Sequence, residues 1–107
     1  MPNKVKSILV WFLQATKNHE FESHQIEAYL PDAAFKLFRV RHSPGTYSRK
    51  FRELKKEGTE RYGFILEDHS DLYPMRKEIT WFVKPYDPEE GRELSRYEEV
   101  QKSIDSN

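Results

Sequence analysis

The segment SPGTYSRKFRELKKEG, residues 43–58, sets five basic residues against two acidic ones in a chain whose formal net charge is zero. Ser43 before Pro44 pairs an N-cap residue with proline at the first helical position, where the missing N–H costs nothing, and Gly58 sits where a helix ends. The spacing predicts a helix from about Pro44 to Glu57. At about 100° per residue, Tyr47, Phe51 and Leu54 fall in one narrow stripe; Gly45, Arg49, Arg52 and Lys56 fall roughly opposite, with Lys50 and Lys55 on the flanks. The apolar stripe is expected to face the core, which leaves the positive charge as a face of its own.

Outward from this helix the asymmetry continues. Between residues 36 and 57 the eight cations Lys36, Arg39, Arg41, Arg49, Lys50, Arg52, Lys55 and Lys56 oppose only Glu53 and Glu57. From Pro85 onward the balance reverses: Arg92, Arg96 and Lys102 oppose Asp87, Glu89, Glu90, Glu93, Glu98, Glu99 and Asp105. Neutrality therefore conceals a dipolar chain. Upstream, Val5, Ile8, Leu9, Phe12 and Ala15 recur at helical spacing within Asn3–Lys17. Ser23 can cap a second, short helix carrying Ile26, Tyr29 and Leu30, which Pro31 is expected to stop. Pro31 to His42 is read as a linker containing a helical turn.

Downstream, RYGFILED (61–68) and KEITWFVK (77–84) are rich in aromatic and β-branched residues and are expected to pair antiparallel. Tyr62, Phe64 and Leu66 fall on one face; Ile79, Trp81 and Val83 alternate likewise, with Phe82 on the opposite face to Trp81. The connection His69–Arg76, with Ser, Asp and Pro, predicts a protruding loop. Beyond Pro85 and Pro88, Glu89 to Ile104 reads as a polar helix with the stripe Leu94, Tyr97 and Ile104.

The run GTYSRKFRELKKEG resembles the recognition helix of winged helix-turn-helix proteins: a Thr-apolar-Ser-Arg opening, an apolar residue four on, a Leu, a basic-acidic close and a Gly. The order helix, helix, helix, strand, strand extends the resemblance over roughly Lys4 to Lys84. It implies an α+β winged helix, a three-helix core with a two-stranded β-wing, over residues 1–86, followed by an acidic C-terminal helix or tail over 87–107. It further implies that Thr46, Ser48, Arg49 and Arg52 face double-stranded DNA. Lys50, Lys55 and Lys56 flank them, Arg39 and Arg41 precede them, and Arg76 and Lys77 stand on the wing. A transcriptional regulator or a phage or mobile-element accessory factor is the corresponding role. Such proteins are commonly dimers on palindromic sites, and the C-terminal helix is the expected homodimer contact. Two departures stand out: Leu30 to Ser43 is longer than the usual turn between second and third helices, and Asp68 and Asp71 make the wing less basic. The other reading of the same basic face is a winged-helix adaptor that binds an acidic protein.

Other classes find little support. At 107 residues the chain suits one domain. It has no cysteine, which removes disulfides and thiolate chemistry and fits a cytoplasmic protein, nucleoid-associated if it binds DNA. The longest apolar run, Ile8 to Leu13, is far below the roughly 20 residues that span a bilayer, and it makes a poor signal peptide. HEFESH offers His19, Glu20, Glu22 and His24, but their spacing matches no strong zinc motif and they read as surface polar residues. With no nucleophile motif and no phosphate-binding glycine loop, neither an enzyme nor a small-molecule cofactor is expected.

Overall fold

Tyr47, Phe51 and Leu54 are where the chain closes on itself. In the computed structural model, which describes residues 4–105 with side chains through residue 101, all three are buried. They belong to helix α3 (Pro44–Glu57), whose bounds are those that Ser43 and Gly58 predict. Helix α1 (Val5–Ala15) supplies Ile8, Leu9 and Leu13 to the same core, and helix α2 (Ser23–Phe38) supplies Ile26, Leu30 and Ala34. In α1 the expected stripe is shifted by a residue: Leu13 is buried, whereas Ala15 is exposed.

The chain turns out of α1 at Asn18, in the left-handed region at φ 68°, and enters a three-residue strand, β1 (Glu20–Glu22). β2 (Phe64–Asp68) and β3 (Thr80–Asp87) form the expected antiparallel pair, with Leu66 opposite Val83. β1 adds to the other side of β3, so the sheet order is β1-β3-β2, and Phe21 lies opposite Trp81. Edge-to-face ring contacts run Phe12–Phe21 at 6.2 Å, Phe21–Phe51 at 5.9 Å and Phe51–Trp81 at 5.7 Å, stitching α1, β1, α3 and β3 together. The expected α+β class holds: the described residues form four helices and a small antiparallel sheet.

Five expectations need correction. Pro31 does not stop α2, which continues to Phe38. Proline removes one backbone hydrogen bond and disfavours helical geometry in the residue before it, but Leu30 and Ala34 are buried on either side of it, and burying such side chains is worth about 1.5–3 kcal/mol each for the larger ones. The linker between α2 and α3 thus shrinks to residues 39–43. The helix is capped by Glu22 and not by Ser23: Gln25 Oε1 accepts the Glu22 N–H at 2.7 Å in a reciprocal capping box. The second strand of the pair begins at Thr80 and passes through Pro85, leaving Lys77 and Ile79 outside it. β1 pairs only with residues 80–82, so Pro85 lies beyond that ladder, and its carbonyl still accepts the Leu94 N–H at 2.9 Å. Tyr62 lies in a 3-10 turn (Glu60–Tyr62), not in a strand.

The fifth correction concerns the C-terminal segment, which is not one helix. Asp87, buried at the end of β3, accepts the Glu89 N–H at 2.9 Å and the Glu90 N–H at 3.2 Å through Oδ1. Gly91, at φ 68°, completes a turn that returns the chain as β4 (Arg92–Glu93) against β3. Leu94 is buried before helix α4 (Arg96–Asp105) begins, whereas Tyr97 is exposed, so these two do not share a helical stripe. The side chain of Ile104 lies outside the described residues.

Two stability measurements follow. Phe51→Ala or Leu54→Ala should lower the unfolding free energy by about 2–5 kcal/mol through lost burial and a cavity; an unchanged urea midpoint in either would mean that the faces of α3 are misassigned. Pro31→Ala should raise it by about 1–2 kcal/mol, because a restored helical N–H outweighs the freer unfolded chain. A midpoint equal to or below that of the parent would contradict a continuous α2.

Candidate nucleic-acid interface

With its stripe committed to the core, α3 must turn its other side outward. The connection that delivers it is anchored at both ends. Arg39 ends α2 in the left-handed conformation at φ 57°, donating its N–H to Phe35 O at 3.0 Å. The guanidiniums of Arg39 and Arg41 lie 5.7 and 4.0 Å from the centre of the Phe35 ring. His42 Nδ1 then meets the hydroxyl of buried Tyr47 at 3.0 Å, locking the turn to the first turns of α3. Burial pushes the Tyr47 phenol above its ordinary pKa. Arg39 and Arg41 are thus held at the end of α2, beside the start of α3, as stacked cations.

The cations of α3 divide into held and open. Lys50 Nζ is 2.7 Å from Glu53 Oε2, and this hydrogen bond and charge hold the Glu53 carboxyl below its usual range. Lys55 Nζ stands 3.9 Å above the Trp81 ring of β3. Arg49, Arg52 and Lys56 are exposed, and among the described residues no carboxylate lies at ion-pair distance from them. At the N-terminus of α3 the Ser43 and Thr46 hydroxyls share a 2.6 Å hydrogen bond, so Thr46 is tied to its cap.

Beside this face lies a depression of about 250 Å³ between α2, α3 and the approach to β3. Ile26, Phe51, Ile79 and Trp81 give it an apolar floor, and Ser23, Ser48, Arg52 and Lys55 form a polar rim. It brings together three of the expected site residues, Ser48, Arg52 and Lys55. Ser23, Ile79 and Trp81 were not expected there. Alternation along the strand places Trp81 correctly, but only the packing of the sheet against α3 brings it under Lys55.

Arg76 goes elsewhere. Its Nε is 3.2 Å from Glu22 Oε1, its guanidinium stacks 3.9 Å from the centre of the Tyr73 ring, and Nη1 donates to Thr80 Oγ1 at 3.2 Å. It lines a second depression with Glu20, Glu22 and Gln25 rather than the cleft beside α3. Lys77 is exposed. The acidic and imidazole groups of HEFESH also separate. His24 Nδ1 meets Glu78 Oε2 at 2.5 Å and lies 3.6 Å from Glu22 Oε2. Among the described residues Glu22, His24 and Glu78 are close enough to share a cation, but Arg76 already pairs with Glu22 and His24 already hydrogen-bonds Glu78 through its backbone N–H and its ring, so the group's oxygens have partners of their own. No helix among the described residues is long and apolar enough to cross a membrane.

No protein-family model, curated protein or solved structure matches this chain. What the surface can do must therefore be argued from its own geometry. Arg49, Arg52 and Lys56 carry charge without structural duty, so replacing each by alanine should change stability by no more than about 0.5 kcal/mol. Trp81→Ala should cost about 3–5 kcal/mol, since it empties the space between Phe51 and Lys55. Thermal melts of the four variants check the division; equal losses in both groups would contradict it.

Proposed function

We propose that the chain is a winged-helix domain that binds double-stranded DNA without catalysis, with α3 as the helix that enters the major groove. The observation that carries this reading is the set Arg49, Arg52 and Lys56, exposed and unpaired among the described residues, on the side of α3 opposite its buried stripe. Arginine presents a fork of donors that matches guanine O6 and N7, and lysine neutralises phosphate. Ser48 adds a hydroxyl beside Arg52, and the N-terminus of α3 has no acidic residue in its first turn, so its partial positive charge is available to phosphate.

The element order supports the same reading. Three helices precede the β2–β3 pair, and the α2–α3 connection of residues 39–43 is short, as a helix-turn-helix needs. The continuation of α2 through Pro31 removes the long gap that had set this sequence apart from the resemblance. Arg39 and Arg41 lie beside the start of α3, where they can add phosphate contacts. Helix α4 exposes Tyr97 and Val100 and supplies a contact for a homodimer, which would present two α3 helices about 34 Å apart to successive grooves. Its acidic residues are repelled by phosphate, which places it away from the duplex. The corresponding role is that of a transcriptional regulator or an accessory factor of a phage or mobile element. The adaptor reading draws on the apolar floor of the cleft beside α3, which would receive an apolar side chain flanked by carboxylates.

Fluorescence anisotropy with labelled duplexes tests the proposal. Binding should weaken steeply with salt, with a log-log slope near −0.9 per neutralised phosphate. Arg49→Ala and Arg52→Ala should each cost about 1–3 kcal/mol on a preferred site, and Lys56→Ala should weaken all duplexes alike. Binding that is absent at low salt, or indifferent to all three substitutions, would overturn the DNA reading and leave an acidic peptide as the ligand to test.

A further inference from the structure

Glu20 of β1, Phe82 of β3 and Glu67 of β2 are cross-strand neighbours in one row of the sheet. Strands lie about 4.8 Å apart, so two carboxylates two strands apart are too distant to bond to each other and leave the Phe82 ring between them. His69 fills the space. Its imidazole lies flat over Phe82, ring centres 4.8 Å apart and planes within 9°. Nδ1 is 3.1 Å from Glu20 Oε2 and Nε2 is 3.0 Å from Glu67 Oε2, so each ring nitrogen faces a carboxylate on a different strand.

This arrangement has a proton count. A neutral imidazole has one N–H and one lone pair; placed here, it satisfies one carboxylate and turns its lone pair towards the other. The imidazolium donates to both. We infer that His69 is a proton-operated staple of the sheet: charged, it ties the glutamates of β1 and β2 together across Phe82 and fixes the start of the β2–β3 connection; neutral, it lets go of one of the two glutamates.

The surroundings support the staple. The His69 N–H donates to Thr80 O at 2.8 Å, so the backbone at the ring's own position is tethered to β3. Tyr73, further along the connection, donates its hydroxyl to Glu20 Oε1 at 2.6 Å, so both oxygens of Glu20 are engaged from the same loop. The charged and titratable groups around the ring are Glu20 from β1, Glu67 and Asp68 from β2, and Arg76 and the neutral phenol of Tyr73 from the connection. Lys55 of α3 acts on Asp68. Phe82, from β3, is uncharged. Burial works against the charged ring, but hydrogen bonds to Glu67 and then Glu20 outweigh it, and the His69 pKa is raised. The Tyr73 hydrogen bond, followed by that of His69, holds the Glu20 carboxyl below its usual range despite desolvation.

The direction of the pH effect follows. A raised histidine pKa contributes stability that is complete below the unfolded value and is lost as pH rises through the folded one. A depressed carboxyl contributes stability present above its unfolded pKa and lost as pH falls through the folded one. The staple is therefore lost on the alkaline side as pH rises through the raised His69 value, and its Glu20 arm is lost on the acid side as pH falls through the depressed Glu20 value. None of this rests on DNA binding, so it can be read on the free protein.

Carbon-detected NMR titration of the full chain tests it, with His19, His24 and His42 as internal comparisons. His69 should titrate above the ordinary histidine value of about 6.5, and its pKa should fall in both Glu67→Gln and Glu20→Gln. Amides of residues 70–79, corrected for intrinsic exchange, should open several-fold faster on the alkaline side of that transition, and His69→Gln should abolish the dependence. A His69 pKa at or below the ordinary value, a pKa indifferent to both Gln substitutions, or equal protection on the two sides of the transition would each overturn the inference.

Discussion

The Phe51 ring is the contact on which the rest depends. It meets Phe21 on one side and Trp81 on the other, both edge-to-face, so a single side chain of α3 holds β1 and β3 at once. Aromatic pairs of this geometry add about 0.5–1.5 kcal/mol each beyond their burial. The larger consequence is orientation. Once Phe51 is seated between the two strands, with Tyr47 and Leu54 above and below it on the helix, α3 has no rotational freedom left, and Arg49, Arg52 and Lys56 must face solvent. The charge on that face is a by-product of where the apolar stripe has gone.

Electrostatics then sorts the cations. Lys50, Lys55 and Arg76 are spent on Glu53, Trp81 and Glu22, while Arg39 and Arg41 are stacked on one ring. Such surface contacts contribute little stability individually, but they immobilise the side chains that make them. The three cations left over on α3, Arg49, Arg52 and Lys56, are able to rearrange around an anionic partner without breaking an existing bond. That distinction, more than the count of basic residues, separates a binding face from a merely charged one.

The connection between β2 and β3 shows the complementary pattern. It carries Asp71, Arg76 and Lys77, and folds back onto the sheet through His69, Tyr73 and Arg76, each of which reaches a glutamate of β1. β1 has only three residues, too few to be a stable strand by its backbone alone. Its pairing with β3 and its glutamates' contacts with the loop sustain each other.

Much was legible in the sequence. Ser43-Pro44 and Gly58 bound α3, the spacing of Tyr47, Phe51 and Leu54 identified its buried face, and alternation placed Trp81 and Val83 on the inner side of β3. These are local signals, set by backbone geometry and period. What was not legible depended on partners distant in the chain. Glu20–Glu22 carries one buried ring between two acids, and a period cannot be read over so short a span. Pro31 carries a strong local signal to stop, which burial of Leu30 and Ala34 overrides. Glu89 to Ile104 reads as helical until Asp87 captures the N–H groups that follow it and bends the chain back. Glu20, Glu67, His69 and Phe82 share no motif, since their juxtaposition arises only when three strands come into register. Sequence alone determined which faces are apolar and which are charged; tertiary structure decided which charges are consumed, because an ion pair is a matter of distance between residues that the chain order keeps apart.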